Sequence, residues 1–459
     1  MKLIENISQA SEELKSCYSE SLEELQSETE ELTEVLDTNF IEEIQKFNFN
    51  LLKDYSPINF YFVEFWERVF YLAEVLKEAS EFDFQEESIN TEELIEELYD
   101  FFEATEFYKI FCDRSQDENP FEVASDLLSL FQGHLITFYY LHIHNQDYEL
   151  LKPLSYVTSN DLGDTQNIFF IRNQAFETKD SILELKSFEH NDEGLSIFDP
   201  DEKEINQRVG KSSAANQDFP FLLKIQDKSQ IEDIKKQTLE ALTVLSEASP
   251  DCHQLLLENT WSLISFQEKN MVSYSMQNFP GVSFINFADR DFVDLLDDLV
   301  HENGHHILNK FLTLDELIVE DDEKIFYSLW RRAPRPIRGI YHAYCTFYWA
   351  LKLFTDLGKY IESHPHSFDD DQVFKIKHRV YEEYLYLTNT KEELARAYQM
   401  DKVTDEGLEV QKLFDEEVQK SKDYFEKVEN EFKSEKVKYR KKMIEQTLKT
   451  IESFKKFKR

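Results

Sequence analysis

The chain has 459 residues, 50 Lys and Arg against 92 Asp and Glu, and a formal net charge of -42. That length allows two or three domains with a sizeable core, and a field of that sign repels nucleic acid. Gly and Pro are few (9 and 10) while Phe and Tyr are many (39 and 22), which excludes an all-β fold and predicts long helices around an aromatic core.

Residues 1–150 read as helix after helix. Leu14, Leu22, Leu25, Leu32 and Leu36 recur at helical spacing with Glu on the other faces. A more aromatic helix is expected from Ile58 to Leu76, followed by Glu92 to Phe111 and Phe121 to His144. His142 and His144 stand two apart, which suits one face of a strand and not of a helix, so they read as packing or surface residues. At Pro153 the period changes. Leu154–Thr158, Asn167–Arg172, Ser181–Phe188 and Leu195–Phe198 are short β-rich runs between turn residues, which predicts a small antiparallel sheet within 151–220, followed by a polar loop.

A helix is expected over Ile225–Ser249. Leu255–Phe266 is ambiguous, Gly281–Phe287 alternates as a strand, Ile337–Phe354 reads as a helix entered from Pro336, and two further helices fill Asp371–Met400. From Val403 the pattern is one long charged helix or a helical hairpin, with Val418, Phe425, Val428 and Phe432 keeping a seven-residue rhythm. From Phe432 onward, eleven Lys or Arg meet three Glu; such a tail suits RNA, a membrane surface or the chain's own acidic body, and the last is the expected partner because its opposite charge is closest. The expected fold class is therefore mainly α (α+β). Its organisation would be a helical region at 1–150, a β-rich region at 151–220, a helical core at 221–402 and a charged helical extension at 403–459.

No apolar run approaches the ~20 residues of a membrane span, and the N-terminus turns polar too soon for a signal peptide. The four cysteines are scattered, without Cys-x-x-Cys spacing. A cytoplasmic protein with no membrane or nucleic-acid partner is the expectation.

The chemistry-bearing stretch is Asp297-Asp298-Leu299-Val300-His301-Glu302-Asn303-Gly304-His305-His306-Ile307-Leu308. On a helix, residues four apart share a face, so His301 and His305 can offer two imidazoles to one metal ion. Glu302 is rotated by about 100° from His301 and can stand beside the metal without ligating it. The alternative is a surface helix with two incidental histidines. A metal that does chemistry usually has three protein ligands. Candidates for the third are His342, His306, Glu316, Glu320 and Glu382. His306 faces away from the pair. His342 is better placed, in the apolar helix Gly339–Phe347, where a histidine needs a partner. Between motif and His342 lie four arginines among prolines: Trp330-Arg331-Arg332-Ala333-Pro334-Arg335-Pro336-Ile337-Arg338. Arginine's planar fork suits a carboxylate, whether of a ligand or of the local acids Asp321, Asp322 and Glu323.

Taken in order, the Gly281–Phe287 strand, Leu299-Val300-His301-Glu302-x-x-His305, Trp330-Arg331-x-x-Pro334-Arg335-Pro336 and Gly339-x-x-His342 resemble the HExxH-type peptide modification proteins of ribosomal-peptide gene clusters, which are 2-oxoglutarate-dependent peptide β-hydroxylases. The likeness covers about residues 225–400. Ala333, Ala343 and Cys345 depart from the pattern, where Asp, Gly and Tyr are common. The resemblance implies iron(II) held by His301, His305 and His342, with Glu302 as a further ligand or an orienting neighbour. It implies 2-oxoglutarate on the iron with its far carboxylate at Arg335, or next at Arg331, and a precursor peptide as substrate. A zinc metallopeptidase with Glu302 as general base is the competing reading; His305-His306-Ile307-Leu308 lacks the usual third-ligand extension. A non-catalytic peptide-binding helical scaffold is the third.

Overall fold

The computed structural model describes residues 2–28, 57–81, 88–103, 108–129, 155–157, 228–260, 262–266, 272–275, 281–319 and 323–457, with isolated positions between them. The chain forms two units. The first comprises Met1–Leu14, Glu232–Trp261 and Val272–Arg459; the second comprises Lys15–Ile231 and Ser262–Met271. Among the described residues the fold is mainly helical, with a few short β-strands.

Helix α1 (Lys2–Glu28) runs from the first unit into the second. The second unit continues with α2 (Pro57–Glu81), α3 (Ser88–Glu103), α4 (Tyr108–Arg114) and a helical stretch over 120–129. Aromatic side chains pack together in its core. Phe102 stacks on Phe111 at 4.2 Å, and Phe65 meets Phe131 edge-on at 5.4 Å. Such pairs add about 0.5–1.5 kcal/mol to the burial of their area. Arg114 ties this unit's surface together by reaching both Glu118 and Asp126 at 2.6 Å. Of the expected sheet at 151–220, only β1 (Ser155–Val157) is described; it pairs in parallel with β2 (Ser262–Phe266). The remaining runs, and His142 and His144, lie outside the described residues.

The first unit carries α5 (Lys228–Ala248, from Glu232), α6 (Pro250–Asn259), the antiparallel pair β3 (Tyr274–Ser275) and β4 (Val282–Asn286), and α7 (Phe292–Leu314). The ambiguous stretch from Leu255 thus divides into the end of a helix and a strand. Next comes the antiparallel hairpin β5 (Phe326–Ser328) and β6 (Ala333–Arg335). Helices α8 (Ile337–Ser363) and α9 (Asp370–Gln399) follow. Where the pattern predicts two helices over Asp371–Met400, α9 runs unbroken for 30 residues. It has no internal Gly or Pro, and its start is fixed by Asp369, whose carboxylate accepts from the N–H of Asp371 and Gln372. The charged end is helical as α10 (Asp405–Lys420), α11 (Lys422–Phe432) and α12 (Lys438–Phe457).

The core of this unit is where α7, α8 and α9 face each other. Leu296, Leu299, Ile307 and Leu308 of α7 are closed off from solvent, as are Ile340, Tyr344 and Leu351 of α8 and Ile376, Val380 and Leu387 of α9. Helix α7 begins at a reciprocal cap: the Asp291 carboxylate accepts from the N–H of Asp294, and Asp294 accepts from that of Asp291. A cap of this kind contributes ~1 kcal/mol. Among the described residues no helix is long and apolar enough to cross a membrane.

Candidate metal centre

Helix α7 lies between the β3–β4 pair on one side and α8 on the other, and successive residues of its motif divide between the two. Gly304 decides how near α8 comes. A Cβ at this position would stand 2.8 Å from Trp349 Cδ1 and 3.3 Å from Thr346 Cα. A side chain there would push the helices apart. Glycine in a helix interior costs ~1 kcal/mol relative to alanine, and the close crossing is what that cost secures.

The crossing gathers three imidazoles. The rings of His301 and His305 are 5.2 Å apart between centroids, and His305 and His342 6.0 Å. Two imidazoles on one cation, at metal–nitrogen bonds of about 2.1 Å, need a centroid separation of roughly 5 Å. The α7 pair meets this. His342 stands about 1 Å wide of it, so sharing an ion requires its ring to turn inward. Among the described residues no three His, Cys, Asp or Glu side chains stand in closed ligand geometry. His301 Nδ1 and His342 Nε2 are nevertheless buried with no hydrogen-bond partner among the described residues. Buried polar atoms are rarely left so, and an unprotonated nitrogen of that kind is what a metal takes.

All three rings are held neutral. Burial pushes His301 down to about 3, with Arg379 and Arg331 adding to the effect. Burial, then the His301 and His306 rings, holds His305 well below its ordinary value; burial, then His305 and Arg338, does so for His342. Each of the three residues keeps partial solvent contact, so the cluster is not wholly sealed in the core.

The other side of α7 is fully engaged. His306 Nδ1 accepts from the Gly281 N–H at 3.2 Å, so its proton sits on Nε2, 3.0 Å from Ser283 Oγ. Gly281 has φ 77°, a left-handed turn into β4 that suits glycine and aims its N–H at that ring. Glu302 is buried, with Oε2 accepting from Ser275 Oγ at 2.9 Å. Burial pushes its carboxyl up to about 8, against the opposing Ser275 hydrogen bond, with Asp298 and Asp297 adding repulsion. One turn earlier Asp298 accepts from Ser273 Oγ at 2.7 Å and is pushed up to about 7, mainly by burial. Sequence placed His306 away from the pair and rotated Glu302 off it, and both side chains are where that rotation puts them. Ser283 and Ser275, their partners, carried no sequence signal.

A second layer supports His301. Its ring packs on Phe347 at 4.5 Å, and Phe347 stacks nearly parallel on Trp330 at 4.7 Å. The Trp330 indole N–H donates to Glu383 Oε2 at 2.7 Å. Glu383 is closed off from solvent and meets the Arg379 guanidinium at 2.7 Å, which also reaches Asp297, one turn before His301, at 2.5 Å. Trp330 lies in the four-residue turn of the β5–β6 hairpin, together with Arg331 and Arg332. Arg332 adopts φ 53°, which costs a non-glycine residue of the order of 1 kcal/mol. The turn therefore holds Trp330 and Arg331 in a set direction. Arg331 is exposed, Arg335 half-buried. Burial, then repulsion from Arg331, lowers the Arg335 guanidinium. Arg331 thus stands near enough to His301, and Arg338 to His342, to disfavour their protonation, with Arg335 beside Arg331.

The remaining candidates lie elsewhere. Glu382 accepts from Thr447 Oγ1 at 3.2 Å and faces Arg379. Glu316 is exposed. Glu323 pairs with Lys402 at 3.6 Å, and 320–322 lie outside the described residues. Compared with known proteins, the chain matches no family model and no curated protein.

Proposed function

We propose that this chain is an iron(II)- and 2-oxoglutarate-dependent hydroxylase acting on a β-carbon in a ribosomally made precursor peptide. The observation that carries it is the pairing of three neutral imidazoles, two with buried unpartnered nitrogens, with an arginine-lined rim. His301, His305 and His342 would hold the metal. Bound iron with 2-oxoglutarate supplies the oxidising power: dioxygen is divided between succinate, formed with loss of carbon dioxide, and the new hydroxyl group.

The chain's own residues do the rest. Arg335 offers a planar fork to the far carboxylate of the diacid, and Arg331 adds to the positive field that draws the dianion in. Phe347 and Trp330 form an apolar wall beside His301, which keeps water from one side of the site. Glu302 holds α7 to β3 through Ser275. That engagement disfavours the zinc peptidase, which needs a carboxylate turned toward a metal-bound water.

The test is aerobic incubation with iron(II), 2-oxoglutarate and a precursor peptide, to be sought as a short reading frame beside this gene. The expected result is succinate and a peptide heavier by one oxygen. Peptide cleavage supported by zinc and indifferent to 2-oxoglutarate would overturn the proposal.

A further inference from the structure

Helix α12 carries seven Lys or Arg and two Glu. Its inner face is well spent: Ile451 and Phe454 join Tyr327, Leu329 and Tyr386 in one buried cluster, with Trp330 packed against it. Its outer face is not. Among the described residues the basic charges of α12 itself meet the chain's own acid at one place: Arg440 reaches Asp371 at 2.7 Å, beside Tyr439. Lys438, Lys441, Lys442, Lys449, Lys455 and Lys456 are exposed, and none has an acidic partner among the described residues.

The spacing orders these lysines. Lys442, Lys449 and Lys456 recur every seven residues in one row, and Lys441, Leu448 and Lys455 form a second. Glu445 and Glu452 lie between the rows and reduce the charge without cancelling it. From Lys438 to Lys456 the strip is ~27 Å long. Apolar groups accompany it: of the nine large hydrophobic side chains exposed among the described residues, five are Val437, Tyr439, Met443, Leu448 and Phe457.

We infer that the outer face of α12 docks an acidic peptide segment with apolar residues at helical spacing, a part of the peptide substrate outside the modified residue. The purpose rests on the peptide-hydroxylase reading; the docking does not. Charge complementarity selects the occupant. Lipid bilayers and nucleic acids are extended polyanions, and the acidic remainder of the chain would repel them wherever they lay beyond the strip. A slender peptide touches the strip alone. Because the inner face of α12 packs against the hairpin carrying Trp330 and Arg331, a docked segment is tethered one helix away from the proposed metal site.

The experiment uses the full chain without iron or 2-oxoglutarate, so its outcome is independent of catalysis. The probe is a fluorescein-labelled synthetic peptide of Glu with Leu at every third or fourth position. Anisotropy should show binding that weakens steeply with added salt. Reversing one row (Lys442→Glu, Lys449→Glu, Lys456→Glu) should weaken it at least ~10-fold, with the melting temperature and circular dichroism unchanged. The same charge change at Lys420, Lys422 and Lys427, which already have the acids Glu417, Glu426 and Glu362 beside them, should alter it less than ~2-fold. No peptide binding, or equal loss in both triple variants, overturns the inference. So does binding to phosphatidylserine vesicles, or self-association in sedimentation equilibrium, that the α12 row alone abolishes.

Discussion

His305 and His306 are neighbours in sequence with the same side chain, and the structure gives them opposite surroundings. His306 turns to the β3–β4 pair, where both ring nitrogens meet protein partners. His305 turns to His301 and His342, where the protein offers its neighbours' nitrogens no hydrogen bond. One face of α7 is thus a joint, and the other is the receptor of the proposed function. Folding favours satisfying buried polar groups, so the contrast between the two faces is what a metal on the imidazole face would explain.

The largest effect that separates the faces is on metal content. His342→Ala should weaken iron(II) binding ~100-fold or more, because two imidazoles seldom hold a catalytic metal, while the melting temperature of the metal-free chain changes little. His306→Ala should do the reverse. It leaves the Gly281 N–H and Ser283 hydroxyl without their partner, at ~1–3 kcal/mol, and keeps the metal. Comparable metal loss in both variants would break the division.

Gly304→Ala probes the crossing that brings His342 to the pair. The Cβ overlap with Trp349 should cost ~1–3 kcal/mol in denaturant unfolding and lower iron affinity with it. Unchanged affinity would mean that the approach of α8 does not position His342.

At the rim, Arg335→Lys should raise the KM for 2-oxoglutarate ~10–100-fold while leaving iron binding alone, since an ammonium cannot replace a two-pronged contact. If Arg331→Lys has the larger effect instead, the anchoring role moves to that residue.

The joint face predicts a smaller, pH-dependent effect. In the fold Glu302 titrates near 8, against 4.5 in the open chain. Below pH 4.5 it is protonated in both states and costs nothing. As pH rises toward 8 the unfolded chain releases a proton that the folded one keeps, so stability falls. Glu302→Gln, which keeps a neutral partner for Ser275, should therefore unfold less readily than the parent at pH 8, by about 1–3 kcal/mol, with the difference closing toward pH 4.5. A variant less stable at pH 8 would contradict burial as the cause.

How much of this was legible in the sequence follows from the range of each interaction. The 3.6-residue period placed His301 and His305 together and turned Glu302 and His306 away, because those relations lie within one helix. Gly304 left a local trace, a glycine where helix formers belong, but its reason is Trp349, 45 residues on. The Trp330–Glu383 hydrogen bond, the Arg379–Asp297 pair and the two serines under α7 join distant segments, and no spacing rule connects them. The polar run Thr388–Glu393 interrupts the apolar pattern of α9 and suggests two helices, while the cap and the absence of breakers keep it whole.

The central claim is that His301, His305 and His342 hold one cation. Its most direct test is anaerobic equilibrium dialysis against iron(II) followed by metal analysis of the parent chain, His305→Ala and His306→Ala side by side. The account predicts about one iron per chain for the parent and for His306→Ala, and almost none for His305→Ala. Equal metal in His305→Ala and the parent, or none in any of the three, would contradict it.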